Sequence, residues 1–422
     1  MSEWRIEVNP TNNRLYWMYQ KKKHYIDAVI LRRAPKFIYQ SKPLPIKGEI
    51  PVFTFHVALP DWFEQQCKHL SENKYKTLST EAFNDLMLGS KAAANNCVFL
   101  TFDDGLKHVW TVAYPLLKKY GLRATCYLIP GCISEADKRV RPTLEDVWQG
   151  KASENEVMGV YKNEPALATW EEIKIMHESG VIDFQSHTMN HALVPVSDEI
   201  TDFVHPGYDP HFYGNIHIPL YTKNGQDVVS RKPLLGMPIY SAKPRMQAKA
   251  RYFDDEDLRK HCVDEVDRRG GRAFFENSNW RSILSQVVNE YKETHTLNAR
   301  YETPEERDLT LLNELLISKK IIEEKLHGKE VTQLCFPWYD ANDYAIEASR
   351  KAGYKVNIFG QRNDYITNKP GQNPFEIVRL EDIFLQRLPG KDRKSIYQTL
   401  MQMYKLRSLP AQMFPEGRIA II

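Results

Sequence analysis

From Pro51 onward the chain alternates short apolar runs with segments of helical periodicity. The runs are PVFTFH (51–56), CVFLTF (97–102), ATCYLI (124–129), VIDFQSH (181–187), VTQLCF (331–336), YKVNIF (354–359) and EIVRL (376–380), with KTLST (76–80) as a shorter addition. Each is rich in β-branched and aromatic residues and bounded by polar or turn residues, which reads as a buried strand. Helical patterns fill the gaps. Residues 61–75 open with Asp61 as a cap, and 108–121 end at Gly121. Residues 169–180 place Glu172 three positions after Thr169, a capping box, and 303–328 and 341–354 begin and end on the same logic. Strand–helix repetition over this length predicts an α/β fold around a parallel sheet. No G-x-G-x-x-G or Walker A loop occurs, so a nucleotide-binding doubly wound sheet loses its best support and a barrel is expected.

Three regions break the rhythm. Residues 1–48, with KKKH at 21–24, read as an N-terminal extension. The Lys21–Lys23 run is expected to be a solvated basic turn rather than a contact for an anionic membrane or a pyrophosphate. Residues 195–302 separate two strand candidates by far more than one helix and carry HPGYDPHFYGNIHIPLY (205–221). An insertion of this size in an α/β barrel is expected at the catalytic face, where the βα loops lie. Residues 385–422 read as a C-terminal helical tail, which leaves 49–384 for the barrel.

Composition adds exclusions. Of 422 residues, 42% are hydrophobic and 26% charged, which rules out wholesale disorder. A net charge of +3 is too small to argue for nucleic acid. No apolar run approaches a membrane span, so no stable membrane insertion is expected. Six cysteines without a C-x-x-C pair exclude a disulfide framework or a zinc ribbon. The first residues lack a basic head followed by an apolar core, so a cytoplasmic location is expected. The oligomeric state stays open, a homo-oligomer included.

Three segments carry candidate chemistry. Asp103 and Asp104 follow an apolar strand and precede Gly105, at the strand end where α/β folds place their sites. One carboxylate can bind a metal while its neighbour handles a proton; alone, the tripeptide reads equally as a turn with a helix cap. His187 and His191, four residues apart, also follow a strand and can converge on one ion. With one Asp they make a His₂Asp set that leaves a position open for water, as catalytic sites do. Pro337, Trp338 and Tyr339 end a third strand; the two aromatics can face a sugar ring or simply fill a buried corner.

TFDDG, SHTMNH and FPWY, in that order and spacing, resemble the NodB-type polysaccharide deacetylases, carbohydrate esterase family 4. The resemblance covers roughly residues 49–384, less the insertion. It implies a distorted (β/α)₇ barrel and metal-dependent removal of acetyl groups from N-acetylated sugars. It also implies a divalent ion, zinc first, with cobalt, nickel or manganese as alternatives. By position, Asp104, His187 and His191 would be the metal ligands and Asp103 the general base. A backbone N–H near Tyr339 would share in holding the oxyanion.

The chain departs from the pattern at two points. Many members carry an arginine in the third motif, where this chain has Leu334, Cys335 and Phe336. Many also supply a late L-x-H histidine as general acid, whereas the last histidine here is His327. His56, at the end of the first strand candidate, is the replacement acid expected from its place; a hydrogen-bonded histidine at a strand end is the alternative. His205, His211 and His217 are further candidates within the insertion. Arg379, on the last strand candidate, is the expected partner of Asp103. Tyr208, Phe212, Tyr213 and Tyr221 are expected either to wall a substrate pocket or to form the insertion's own core. Together these predict a de-N-acetylase of a cytoplasmic N-acetylated sugar intermediate. The alternatives are a hydrolase of a non-sugar C–N amide and a catalytically impaired carbohydrate-binding protein.

Overall fold

Strands buried on both faces need cover on both faces, and the chain supplies it by threading helices between its strands. The computed structural model describes residues 32–91, 95–135, 140–159, 166–208, 218–228, 234–360 and 366–407. The strands are β1 (Val52–Phe55), β2 (Lys76–Thr77), β3 (Cys97–Phe102), β4 (Ala124–Leu128), β5 (Ile182–Ser186), β6 (Leu193–Phe203), β7 (Tyr221–Lys223), β8 (Gln226–Val228), β9 (Pro238–Pro244), β10 (Tyr252–Phe253), β11 (Arg300–Tyr301), β12 (Gln333–Cys335), β13 (Val356–Ile358) and β14 (Leu380–Glu381).

Seven of them form one parallel sheet in the order β13-β12-β5-β4-β3-β1-β14, with β2 beside β3. The sheet curls back on itself. The segment leading into β14 bridges β13 through Ile358 and Ile377, and β14 pairs with β1 through Leu380 and Phe53. The result is a distorted (β/α)₇ barrel, the form the resemblance implied. Alternate residues divide the core. Phe53, Leu100, Phe102, Phe184 and Leu334 pack under the helices with Leu117, Ile173 and Leu315. Val52, Phe99, Tyr127, Cys335, Val356 and Ile358 make a second cluster with Phe83 and Met87 of the Thr80–Met87 helix. Phe83 stacks on Phe99 with ring centroids 4.2 Å apart.

Local signals placed most helix ends. Capping boxes form at Thr169–Glu172 and Thr303–Glu306, and Gly121 ends its helix at φ 63°. Three elements differ from expectation. Asp61 does not cap: Leu59 is the N-cap, Pro60 holds the first helical position, and Asp61 lies in the first turn, where its charge suits the helix dipole. The 108–121 pattern divides into a π-turn at Val109–Ala113 and an α-helix at Tyr114–Tyr120. KTLST yields only the two residues of β2, because Ser79 accepts a hydrogen bond from the Ala82 N–H and starts a helix instead.

The insertion has its own architecture. β6 and β9 pair antiparallel with two register shifts. The helices Glu256–Arg268 and Trp280–Thr294 bury Leu258, Cys262, Val266 and Leu284 against Phe203 and Phe274. At the other side of the barrel, Arg387 and Arg393 donate to the carbonyls of Phe37, Ile38 and Gln40, tying the tail to the segment before β1. The tail is helical only in part: a 3₁₀ segment covers Asp382–Arg387 and an α-helix Ile396–Arg407. Among the described residues no helix is long and apolar enough to cross a membrane. The Lys21–Lys23 run, His211, Phe212, Tyr213 and His217 lie outside the described residues.

Candidate active site

Strand register builds the site. β1 and β3 pair Phe55 with Phe102, so the next residues, His56 and Asp103, emerge side by side at the carboxyl end of the barrel. β4 pairs Leu128 with Ser186, and β12 pairs Leu334 with Ser186, which brings His187 beside Cys335. One rim therefore collects residues from four separate strand ends, the usual logic of a parallel barrel.

Asp103 and Asp104 are adjacent in sequence and diverge in space. Asp104 takes φ 68° and Gly105 φ 75°, a left-handed turn that sends the two carboxylates apart. Asp103 is 1% exposed and meets Arg379 in a two-pronged ion pair, Nη1 to Oδ1 at 2.6 Å and Nη2 to Oδ2 at 2.7 Å. Arg379 is fixed in turn by the Phe359 carbonyl at 3.0 Å and the Thr101 hydroxyl at 3.3 Å. Burial pushes the Asp103 carboxyl up, but the Arg379 guanidinium outweighs it, and the group is held well below the usual carboxylate range. The arginine missing from the third motif is thus met in space by one on the last strand. His56 Nε2 lies 3.7 Å from Asp103 Oδ2, with its side chain 38% exposed, at the open edge of the site.

Asp104 faces the histidines. Its Oδ1 lies 3.4 Å from His187 Nε2 and 3.8 Å from His191 Nε2, and the three ligand atoms all fall within 4.8 Å of one another. His187 Nδ1 is 2.8 Å from the Cys335 carbonyl, which can only accept, so Nδ1 carries the proton and Nε2 offers its lone pair. Burial, with His187 beside it, holds His191 well below its ordinary value. The neutral ring is the form that binds metal. His191 Nδ1 is buried and has no hydrogen-bond partner among the described residues. Two imidazoles and one carboxylate, all buried, fit a divalent ion in donor number and chemistry. A second group, Asp103, His187 and Cys335, also falls within 4.8 Å, but Arg379 occupies both Asp103 oxygens and burial pushes the Cys335 thiol up, out of its ligating form.

Backbone strain concentrates here. Of eleven non-glycine residues with positive φ among those described, five belong to the site: Asp104, Thr188, His191, Trp338 and Tyr339. Each such conformation costs about 1–3 kcal/mol and persists only where surrounding contacts enforce it. Trp338 lies against His191 with ring centroids 4.9 Å apart. Pro337 is buried at the start of that turn. Tyr339 lies beneath Arg379, 5.1 Å from its guanidinium, and edge-on to His56 at 6.3 Å. Gly360 makes room for it: a Cβ there would stand 2.5 Å from Tyr339 Cγ. Gly360→Ala is therefore expected to displace the tyrosine and cost about 1–3 kcal/mol of stability, read as a lower midpoint in urea unfolding; an unchanged midpoint would mean that the ring is not packed as described.

Not every candidate joins the rim. Of the two expectations for Tyr208 and Tyr221, the structure meets the second and places both against Val204, Ile218, Met237 and Ile239 in the insertion's own core. Both are apolar bodies on a segment that needed a core of its own. His205 meets Tyr208 edge-on and Trp280 at a tilt, and stands 3.9 Å from Asp202. Sequence reasoning missed Gln247, which donates to Asp340, and missed Cys335 as the acceptor that fixes His187. The first had no signal; the second follows from register once β5 and β12 are known to pair.

A parallel barrel with a buried Asp–His–His group and a second, arginine-locked carboxylate at its carboxyl rim has the form of a hydrolase centre. Residues 90–201 match the family model for polysaccharide deacetylase. Over this segment, about a quarter of the chain, the protein is similar to the polysaccharide deacetylases. The Bacillus subtilis (strain 168) protein YxkH, a polysaccharide deacetylase by assignment, is 40% identical over 87 residues, 21% of this chain and 31% of its own length. The poly-β-1,6-N-acetyl-D-glucosamine N-deacetylase of Escherichia coli (strain K12) is 27% identical over 127 residues, 30% of this chain and 17% of its own. The matched stretches thus span less than a third of either relative. Among solved structures, a de-N-acetylase from Aggregatibacter actinomycetemcomitans is 18% identical over 84% of this chain and 99% of that one, with a TM-score of 0.44. At that level the fold rests on the strand pairing itself.

Proposed function

We propose that the protein is a metal-dependent de-N-acetylase that hydrolyses the acetamido group of an N-acetylated sugar or glycoconjugate. The observation that carries this reading is the division of labour between adjacent carboxylates. Asp103 is locked to Arg379, while Asp104 faces His187 and His191. A divalent ion, zinc in the first instance, held by Asp104, His187 and His191 would acidify a water and polarise the acetamido carbonyl. Asp103, kept ionised by Arg379, accepts the proton of the attacking water. A backbone N–H in the Trp338–Tyr339 turn steadies the oxyanion. His56, at the exposed edge, hands a proton to the leaving nitrogen, and acetate and the free amine depart. The proton on Asp103 then passes to solvent or to His56, which restores both groups. The names of the relatives support a glycan substrate.

The test is metal content in protein purified without added metal, beside a His187→Ala/His191→Ala variant. About one ion per wild-type chain and none in the variant is expected, with acetate release from N-acetyl sugars abolished by a chelator. Absence of binding after incubation with zinc, cobalt, nickel or manganese would defeat the reading. Turnover of linear non-sugar amides alone would replace it with the non-sugar alternative.

A further inference from the structure

Among the described residues, the insertion touches the site at a short turn, Arg245–Gln247, at the end of β9. Met246 and Ala248 belong to the main hydrophobic core of the barrel rather than to the insertion's own cluster. From that anchored position the turn bonds to two catalytic loops at once. The Arg245 N–H donates to the Ala192 carbonyl, one residue beyond His191, at 2.9 Å. The Met246 carbonyl accepts from the Asn342 N–H at 3.1 Å, and the Gln247 amide donates to the Asp340 carboxylate. Asp340 follows Trp338 and Tyr339 directly, the two left-handed residues of the third motif, and Trp338 lies on His191. The turn is itself held from behind, because Arg245 makes a buried two-pronged pair with Glu302 at 2.7 and 2.6 Å.

Two strained loops from different strands need a common support if their relative position is to persist. Within the described residues this turn bonds to both. We infer that Gln247 is a positioning residue of the catalytic centre. Through Asp340 it seats the Trp338–Tyr339 turn against His191, so the insertion sets the geometry of the metal group rather than only bounding the substrate. This inference rests on the proposed metal-dependent reading, and it deepens that reading by assigning the insertion a role in it.

The experiment compares Gln247→Ala, Asp340→Ala, the double variant and Asp340→Asn with the full-length wild type. Zinc dissociation constants come from competition with a chromophoric chelator, and kcat and KM from zinc-saturated protein with an N-acetyl sugar. Thermal midpoints are recorded in parallel. Loss of the Gln247–Asp340 bond, which acts on His191 through Trp338, is expected to weaken zinc binding or kcat by about tenfold, with KM little changed. The double variant should be no worse than either single one, since both remove the same bond. Asp340→Asn should behave as wild type, because the new amide oxygen still accepts from Gln247. Zinc binding and kcat unchanged in the alanine variants, additive losses, or losses matched by a fallen thermal midpoint would each overturn the inference. A wild type that binds zinc but turns over no substrate defeats the proposed function and leaves the zinc titration to decide this point. A wild type that binds no ion defeats both.

Discussion

Asp103→Asn is expected to fold, to keep its metal group and to lose about 10²–10⁴ in kcat, the usual contribution of a positioned general base. The substitution is nearly isosteric, and Asp103 is not among the Asp104–His187–His191 group. The amide still offers Arg379 one acceptor but no longer its counter-charge, so a modest loss of stability should accompany the loss of rate. KM should move little, because the interaction removed is one made to the attacking water. Steady-state kinetics with a metal assay on the same preparation decide the matter. Activity within a few-fold of wild type at full metal occupancy would remove Asp103 from the role of base.

Arg379→Leu carries the largest expected effect on stability. Removing one member of a buried ion pair leaves the other charge without compensation, at a cost of about 3–5 kcal/mol. The sign of the pH dependence follows from the same pair. Burial pushes Asp103 up and Arg379 brings it well below the ordinary carboxylate value, so its folded value is depressed relative to the unfolded one. Such a group contributes stability in full above the unfolded carboxylate range, and loses it as pH falls through the depressed folded value. With leucine at 379 burial is opposed only by His187 and His56, and the Asp103 value moves up. The acid limb of kcat should then move to higher pH, and unfolding by urea should require less denaturant at neutral pH. An acid limb and a urea midpoint both unchanged would mean that Arg379 does not control Asp103.

The parts of the site that could be read from sequence are those in which chemistry and position coincide in one short segment. Asp103–Asp104–Gly105 and His187–His191 each sit at the end of an apolar strand, so residue type and location were legible together. Arg379 and His56 were legible more weakly, as strand-end residues whose neighbours depend on register. The insertion's bounds were legible, but its internal structure was not. Its Glu256–Arg268 helix places Leu258, Cys262 and Val266 four residues apart behind an Asp255 cap, yet the high charge between them masks the apolar face. The aromatic residues around 205–221 suggested a pocket wall, and the described ones turn inward because the insertion is large enough to need its own core. Contacts such as Gln247–Asp340 join segments 93 residues apart and leave no periodic or motif trace.

The Asp103–Arg379 pair spans 276 residues of chain. A ribosome working at roughly 5–20 residues per second would release Asp103 roughly 14–55 s before Arg379 follows. During that interval the apolar strand that carries Asp103 has no partner for its charge, and the barrel has no closing strand. The nascent protein is therefore held open at its catalytic rim until nearly the whole barrel has been made. An order of synthesis in which the stabilising cation arrives last makes the finished centre a late event in folding, and gives a chain that stops short of residue 379 a reason not to close around an unpaired acid.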